Sequence, residues 1–231
     1  MEKQYILPVG EDDTLRLDAQ HQSYKQGITH ALWASGLKEG QVIVDVGCGN
    51  GIMTEWLAKQ VGDQGLVYAI DNDENQLRVA KERIKQVGLK NVEFCNTDLN
   101  FEVTQPFEAD ITYCCLVIQH LMNKEVGLKN LAAMTKADGS VMIVEPLNAM
   151  TWSQPKNDTF EKIMALFHAY TELNGVDCNY GKRLYDDISR IGLFKEFQIH
   201  GYQPITHDPD LKAMVSLQWK NMKPELLELK L

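Results

Sequence analysis

A glycine-rich stretch near residue 50 has the residue types that a ligand-binding turn requires. It follows a short β-branched run and carries an acid, three alternating glycines and small polar residues. Such a turn lets a ligand approach the main chain closely and presents amide N–H groups at a helix N-terminus. We therefore predict that this stretch binds a polar ligand. The predicted contacts are Asp45, Gly47, Cys48, Gly49, Asn50 and Gly51.

Two further aspartates follow the next two apolar runs along the chain. Asp71 ends the run Ala-Ile-Asp, and Asp98 lies in Asn-Thr-Asp-Leu. Asp71 comes 26 residues after Asp45, close to the offset of about 20 at which an acid reaches a ribose. A carboxylate that accepts both ribose hydroxyls indicates a nucleoside without a 2′-phosphate. Each aspartate alone would suit a turn or helix cap, but the ordered set predicts a nucleoside site.

The spacing of the glycines separates two kinds of nucleotide site. The dinucleotide fingerprint G-x-G-x-x-G requires its third glycine at position 52, where this chain has Ile52. The observed acid-x-G-x-G-x-G pattern resembles motif I of the class I S-adenosylmethionine-dependent methyltransferases. The resemblance implies S-adenosylmethionine as methyl donor and S-adenosylhomocysteine as product. It also implies that Asp71 and Asn72 lie at the ribose, and that Asp98 and Leu99 lie at the adenine.

The fourth and fifth apolar runs extend this resemblance. Residues 110–121, ending in Gln-His-Leu, resemble the family's motif IV region in the ubiquinone and menaquinone biosynthesis group. Residues 137–146 resemble that group's Lys-Pro-Gly-Gly strand entry, with Ala-Asp in place of Lys-Pro. The resemblance covers residues 37–147 well and the flanks loosely. It adds Leu116 and Gln119 to the predicted donor site.

His120 and Tyr24 are the candidates for a catalytic role. His120 follows the fourth run and could act as general base, which is needed only where the acceptor loses a proton. Tyr24 lies on a predicted N-terminal helix and could contact the methionine end of the donor. Packing or surface roles are the alternative for both. Four further residues could lie in segments that fold over the donor or the acceptor, and packing or surface roles are the alternative for these too: His21, Trp152, His168 and Tyr170.

Several motifs of other methyltransferase groups are missing from the sequence. There is no Asn/Asp-Pro-Pro-aromatic segment after the fourth run and no Pro-Cys pair. The paired-glutamate loop of protein arginine methyltransferases and the metal-binding acids of catechol-type enzymes are not evident either. These observations favour a small-molecule acceptor and predict no metal ligands.

Composition narrows the class of protein further. The 231 residues carry a net charge of −9 with 44% hydrophobic content, which suits one globular domain and disfavours nucleic-acid binding. Five cysteines without a C-x-x-C pair suit a reducing compartment. The longest near-apolar run, residues 111–118, is too short to span a bilayer. With a polar N-terminus, we expect a cytoplasmic protein with no membrane partner.

The apolar pattern that positions these residues alternates between strand and helix. Predicted strands cover residues 41–46, 66–70, 92–95, 110–117 and 140–144, and helices cover 14–35, 52–59, 74–87 and 124–136. Continuous apolar strands between amphipathic helices predict a doubly wound, mostly parallel α/β sheet of Rossmann-like class. Gly139 is the predicted stop of the 124–136 helix.

The remaining segments are predicted to cover this core. Residues 1–10 read as an extended arm, 159–173 and 182–191 as helices, 196–202 as a sixth strand, and 210–231 as a helix interrupted by Pro224. We expect a single domain, 1–231. Its predicted parts are an N-terminal helical cap 1–36, a core 37–147, a lid insertion 148–195, and a C-terminal strand with helices 196–231.

No seventh strand is evident, although a complete class I methyltransferase sheet has seven. A missing strand would expose a sheet edge and favour a homodimer. It also leaves open a second function, a donor-binding module without catalysis that acts through a partner. A nicotinamide oxidoreductase is a third hypothesis, which the glycine spacing disfavours.

Replacing Asp71 with alanine should weaken binding of S-adenosylmethionine by roughly 1.5–3 kcal/mol, the range for a hydrogen bond to a charged group. Isothermal titration calorimetry of the wild type and the Asp71→Ala variant measures the difference. An unchanged affinity would remove Asp71 from the donor site.

Overall fold

A parallel five-stranded sheet forms the centre of the computed structural model, which describes Val9 and residues 13–228 but not every side chain of the last helix. The strands are β1 (Val42–Val46), β2 (Leu66–Asp71), β3 (Val92–Asn96), β4 (Ala109–Cys115) and β5 (Thr135–Val144). Their order across the sheet is β3-β2-β1-β4-β5, and every pairing is parallel. The predicted Rossmann-like class is confirmed. The predicted arm 1–10 lies outside the described residues except for Val9.

Helices join the strands and pack on both faces of the sheet. They are α1 (Thr14–Ala34), α2 (Ile52–Val61), α3 (Glu74–Gln86), α4 (Lys124–Ala133), α5 (Asp158–Leu173), α6 (Leu184–Ile191) and α7 (Pro209–Glu228). Across residues 13–228, none of these helices has the length and apolar content that crossing a membrane requires.

The adjacent strands β1 and β4 are buried on both faces, which explains their continuous apolar sequence. On one face Val44 and Cys114 pack with Leu128 of α4, and on the other Ile43 and Ile111 pack with helical side chains. The helical members of that second cluster are Ile28, Leu32, Met53, Leu57, Ala58 and Val61. This burial on both faces holds the strand ends in fixed positions.

The boundary between α4 and β5 differs from the prediction. The helix ends at Ala133 instead of residue 136, and Gly139 lies inside β5 and does not stop the helix. Thr135 pairs with Ala109 of β4, and its hydroxyl lies at hydrogen-bond distance, 2.7 Å, from the Thr112 hydroxyl of the same strand. These contacts to a neighbouring strand begin β5 early, and they are not visible in helical periodicity. Strand β4 also ends at Cys115, two residues before the predicted end.

The sixth strand predicted for residues 196–202 is absent, since the structure assigns them no regular secondary structure. Phe197 instead makes an edge-to-face contact with Tyr185 of α6, at 5.3 Å between ring centroids. The ring of Tyr202 covers Gly27 of α1, where an added Cβ would lie 2.6 Å from its Cγ. These apolar side chains therefore pack against helices, and within the described residues β5 is an edge of the sheet.

The last helix, α7, packs against α5 and α1. Met222 and Leu226 of α7 are buried with Phe167 and Tyr170 of α5, and α7 also packs along α1. The predicted interruption at Pro224 is wrong, because the helix continues through it to Glu228. Buried side chains on both sides of Pro224 hold the helical path.

Gly51 should be the least replaceable glycine of the β1–α2 turn. Its φ is +78°, and an added Cβ would lie 2.8 Å from the Cβ and 3.0 Å from the Cα of Ala80. We expect Gly51→Ala to lower the free energy of unfolding by about 1–3 kcal/mol more than Gly192→Ala, because it adds overpacking to the same kind of backbone strain.

Gly192 is the matched control, since it is left-handed like Gly51, with a φ of +67° and a ψ of +20°, and no described atom lies within 4 Å of an added Cβ. Urea denaturation of both variants measures the difference. Equal losses would show that close packing on α3 contributes nothing to the requirement for glycine.

Candidate functional site

The predicted ligand residues meet at the carboxyl edge of the sheet. The chain leaves the central strand β1 towards β2 and β3 on one side, and later towards β4 and β5 on the other. Open α/β sheets bind ligands in the crevice outside such a reversal. The turns after all five strands border this crevice.

The glycine turn after β1 is fastened to β2 by main-chain hydrogen bonds. The amide groups of Gly47 and Cys48 donate to the oxygen of Ile70 at 2.8 and 2.9 Å. Gly47 has a φ of +69°, and an added Cβ would lie 2.2 Å from the Cγ2 of Val117. The turn therefore requires glycine both for its backbone and for close packing.

Asp71 accepts a hydrogen bond from the centre of this turn. The Gly49 amide donates to Asp71 Oδ2 at 2.9 Å, and the Asp73 amide donates to Oδ1 at 3.0 Å. Burial raises the pKa of Asp71 despite these hydrogen bonds. A carboxylate offers about four acceptor sites, so its two oxygens can accept further hydrogen bonds from a ligand.

Asp45 lies beneath the turn and is 2% exposed. Its Oδ2 accepts a hydrogen bond of 2.6 Å from the Thr54 hydroxyl of α2. Burial raises the pKa of Asp45 to about 7. Its visible contact therefore supports the start of α2, while its predicted contact with a ligand stays a prediction.

Asn50 joins three elements at the rim of the site. Its Nδ2 donates to Asp18 of α1 at 2.8 Å, and its main-chain oxygen accepts from Arg83 Nε of α3 at 3.0 Å. Arg83 Nη2 also donates to Asp18 at 2.9 Å. Sequence analysis missed Asp18 and Arg83, because no spacing rule relates residues on α1, the turn and α3.

The turn after β3 brings Asp98 and Leu99 to the same edge. Asp98 Oδ1 accepts from both the main-chain and side-chain nitrogens of Asn100 at 2.9 Å. Leu99 is 5% exposed and belongs to the main core. Asn72 is exposed, and its main-chain oxygen accepts from Asn96 at 3.2 Å. Asp98 thus shapes its own turn and retains Oδ2 for other contacts.

Glu145 is a site residue that sequence analysis did not single out. Its carboxylate accepts from the amides of Ile118 at 2.7 Å and Gln119 at 3.3 Å, which joins the ends of β4 and β5. Burial raises its pKa to about 8. Leu116 has a φ of +59° in this turn, and its oxygen accepts from the Gln119 side chain at 3.2 Å. An acid at a strand end, the signal that identified Asp71, was also present at Glu145.

The two catalytic candidates, His120 and Tyr24, both lie near the end of β4. Burial, with the nearby charges of Arg16 and Lys124, lowers the pKa of His120 to about 4. Its imidazole is therefore neutral near pH 7. Burial also raises the pKa of Tyr24, which packs in the cluster that includes Cys115. No hydrogen bond links His120 to Tyr24 within the part of the chain described.

The four other residues that the sequence suggested as part of a cover lie on α1, on α5 or in the segment between β5 and α5. His21 is 8% exposed on α1, and burial lowers its pKa. Tyr170 is buried in the α5–α7 contact, and Trp152 is 54% exposed. His168 lines a cavity of about 400 Å³ at the end of α5. Residues 9 and 13–228 contain no cluster of three metal-ligating side chains.

Comparison with known proteins identifies relatives for this arrangement. The protein family described as "Methyltransferase domain" matches residues 37–206. The ubiquinone/menaquinone biosynthesis C-methyltransferase of Teredinibacter turnerae is 28% identical over 152 residues, which cover 61% of this chain and 57% of that protein. The corresponding protein of Enterobacter sp. is 28% identical over 127 residues, covering 50% and 49%. The chain thus spans about half the length of these curated relatives.

Two solved structures share the fold. A SAM-dependent methyltransferase from Aquifex aeolicus has a TM-score of 0.57 and 22% identity, covering 77% of this chain and 87% of that chain. The Haemonchus contortus phosphoethanolamine N-methyltransferase 2, in complex with phosphomonomethylethanolamine and S-adenosylhomocysteine, has a TM-score of 0.64 and 17% identity. Its alignment covers 94% of this chain and 54% of that chain. At these identities the likeness shows the fold.

Glu145 should make the protein less stable as the pH rises. Its pKa of about 8 lies above the ordinary value of 4.5, so the folded protein binds this proton more tightly than the unfolded chain. The resulting stability is complete below pH 4.5 and is lost as the pH rises through 8. Between pH 5 and 8.5 the free energy of unfolding of the wild type should fall by on the order of 1–3 kcal/mol. Glu145→Gln should remove this decrease, and urea denaturation measures it in both proteins.

Asp110→Asn is the control of opposite sign. Burial acts to raise the pKa of Asp110, but hydrogen bonds from Lys136 and Val42 lower it overall. Its stabilisation is therefore constant above pH 5, and this variant should keep the wild-type slope. If the stability of Glu145→Gln fell with rising pH as steeply as that of the wild type, the assignment of this pH dependence to Glu145 would be contradicted.

Proposed function

The chain belongs to the family of methyltransferase domains, and we propose that it is a class I S-adenosylmethionine-dependent methyltransferase with a small-molecule acceptor. One observation carries the proposal: the Gly49 amide donates to the Asp71 carboxylate at 2.9 Å. This contact joins the glycine turn to the predicted ribose acid, and it supports the proposal that the two act as one nucleoside-binding unit at the strand ends.

The residues present fit the donor. Both Asp71 oxygens can accept hydrogen bonds beyond those they hold, as two ribose hydroxyls require. Beside Gly49 an added Cβ would meet only Leu17, at 3.5 Å, so a ligand can approach the turn. The residues that would hold S-adenosylmethionine are Gly47, Cys48, Gly49, Asn50, Gly51, Asp71, Asn72, Asp98, Leu99, Leu116 and Gln119, with Asp45 supporting the turn.

Bound S-adenosylmethionine supplies a methyl group on a reactive sulfonium. The chain therefore contributes mainly by aligning the partners and excluding water. Helix α1 covers the glycine turn through the hydrogen bond between Asn50 and Asp18. Helices α5 and α7 extend this cover through their shared apolar cluster.

His120 can hold a proton where the acceptor must lose one. With a pKa of about 4, its imidazole is neutral and able to accept a proton, although it is a weak base. Such a base suits an acceptor that loses its proton readily. The raised pKa of Tyr24 keeps its phenol protonated, so it would act as a hydrogen-bond donor to the methionine end.

The methylated atom differs among the similar proteins. The curated relatives are named as C-methyltransferases, and a protein of similar fold is named as an N-methyltransferase. We further propose a single domain over residues 1–231 in a reducing cytoplasm, with neither nucleic acid nor membrane as a partner. The edge strand β5 supports a homodimer as an additional proposal.

A non-catalytic donor-binding module is the second candidate. Two features motivate it: the lowered pKa of His120 and the edge of β5 that no described strand covers. Such a protein would bind both sulfur nucleosides and act through a partner.

A thermal-shift titration with S-adenosylmethionine, S-adenosylhomocysteine and NAD tests the proposal. A ligand at 100 times its Kd adds about 2.7 kcal/mol to stability. We expect both sulfur nucleosides to raise the Tm and NAD to leave it unchanged. No shift with either nucleoside would contradict the donor site, and a shift with NAD alone would favour an oxidoreductase.

Turnover separates the two remaining candidates. Radiolabelled S-adenosylmethionine should yield methylated product and S-adenosylhomocysteine with at least one small-molecule acceptor of a screened panel. Tight binding without S-adenosylhomocysteine release from any acceptor would support the binding module instead.

A further inference from the structure

Helix α1 presents two different faces to the site. Asp18 lies against the glycine turn, where it accepts from Asn50. Arg16, Gln20 and Tyr24 are spaced four residues apart and therefore share another face. Tyr24 packs in the cluster that includes Cys115, the last residue of β4. This second face therefore packs towards the end of β4, on a different side of α1 from Asp18.

Arg16 places a buried cation on this second face. Its side chain is 3% exposed. Its Nε and Nη2 donate to the two oxygens of Asp13, the first at 2.6 Å, and Nη1 donates to Gln20 at 2.8 Å. A buried guanidinium requires an anionic partner, because desolvation of an unpaired charge is costly. The forked contact with Asp13 is one that a ligand carboxylate or phosphate can reproduce.

The position of Asp13 suggests that it can be exchanged. It occupies the N-cap of α1, where an aspartate normally accepts a hydrogen bond from a main-chain amide of the first turn. Its side chain makes no such cap here and contacts Arg16 instead. Burial raises its pKa despite the guanidinium, so the carboxylate is poorly stabilised. On release it could cap α1, which would offset part of the loss of Arg16.

A second cation lies near the same point. Lys124 contributes, with Arg16, to the lowered pKa of His120 after burial. Its Nζ donates to the main-chain oxygen of Leu121 at 3.0 Å. Three acids also act on Lys124, namely Glu145, Asp177 and Asp187. Two cations, Arg16 and Lys124, therefore act on the imidazole of His120 in a chain of net charge −9.

We propose that Arg16 binds an oxyanion of the methyl acceptor, a carboxylate or a phosphate, which displaces Asp13 from the guanidinium. The inference rests on the proposed methyltransferase function and adds to it that the acceptor is an anion. Asp13 holds the cation until the acceptor enters, and then becomes available to cap α1.

Simple anions test this exchange in the full-length protein. S-adenosylhomocysteine is titrated first, by calorimetry. Acetate, benzoate and inorganic phosphate are then titrated into the S-adenosylhomocysteine-saturated protein, with benzamide as the neutral partner of benzoate. We expect at least one anion to bind, and benzoate to bind at least tenfold more tightly than benzamide if the group is a carboxylate. Preference for phosphate over both carboxylates would identify a phosphate group.

Three variants separate ligand binding from structural support. Arg16→Gln should weaken anion binding at least tenfold and leave S-adenosylhomocysteine binding unchanged. Asp13→Asn should strengthen anion binding, because the competing charge is gone. If the Arg16–Asp13 ion pair were merely structural, both substitutions would lower the stability of the protein and neither would strengthen anion binding. Arg190→Gln is the matched control, since Arg190 pairs with Asp187 at the same spacing but on an exposed surface, and it should change neither affinity.

The outcomes distinguish this inference from the proposed function. If S-adenosylhomocysteine binds but no anion does, or if Arg16→Gln binds anions as the wild type does, the Arg16 site is overturned and the methyltransferase proposal stands. If Arg16→Gln fails to fold, the tighter anion binding expected of Asp13→Asn decides. If S-adenosylhomocysteine does not bind the wild type, both proposals fail.

Discussion

The hydrogen bond from the Gly49 amide to the Asp71 carboxylate is the contact on which the site depends. It requires a left-handed backbone at Gly49, with a φ of +53°, and a carboxylate at the end of β2. Asp71 also accepts from the Asp73 amide at the start of α3, and Asp45 holds α2 through Thr54. A ligand at this edge therefore meets amides and carboxylates that tertiary contacts already hold in place, which reduces the entropy cost of binding.

The cover of the site is built from the two ends of the chain. Both α1 and α7 lie outside residues 37–206, which match the family, yet they pack along each other. Met222 of α7 is buried against α5, and the ring of Tyr202 rests on Gly27 of α1. The core thus carries the features shared with relatives, while the flanks carry Arg16 and Tyr24.

The wrong predictions share one physical cause. Residues 196–202 alternate as a strand should, but alternation reports only that one face is apolar, and Phe197 and Tyr202 place that face against helices. Gly139 suits a helix stop, yet residues 135–144 pair with β4. Local patterns are overridden where a neighbouring element offers more hydrogen bonds or apolar contacts than the local conformation does.

The order of strands and helices and the aspartates at the strand ends were readable from local sequence. Backbone period, glycine turns and apolar runs are properties of neighbouring residues. The contacts of Asn50 with Asp18 and Arg83, the burial of Arg16 beside Asp13, and the position of Glu145 at the turn after β4 required the folded chain. Such contacts join residues far apart in sequence or depend on burial, and burial and long-range pairing arise only when the sheet and its cover pack together.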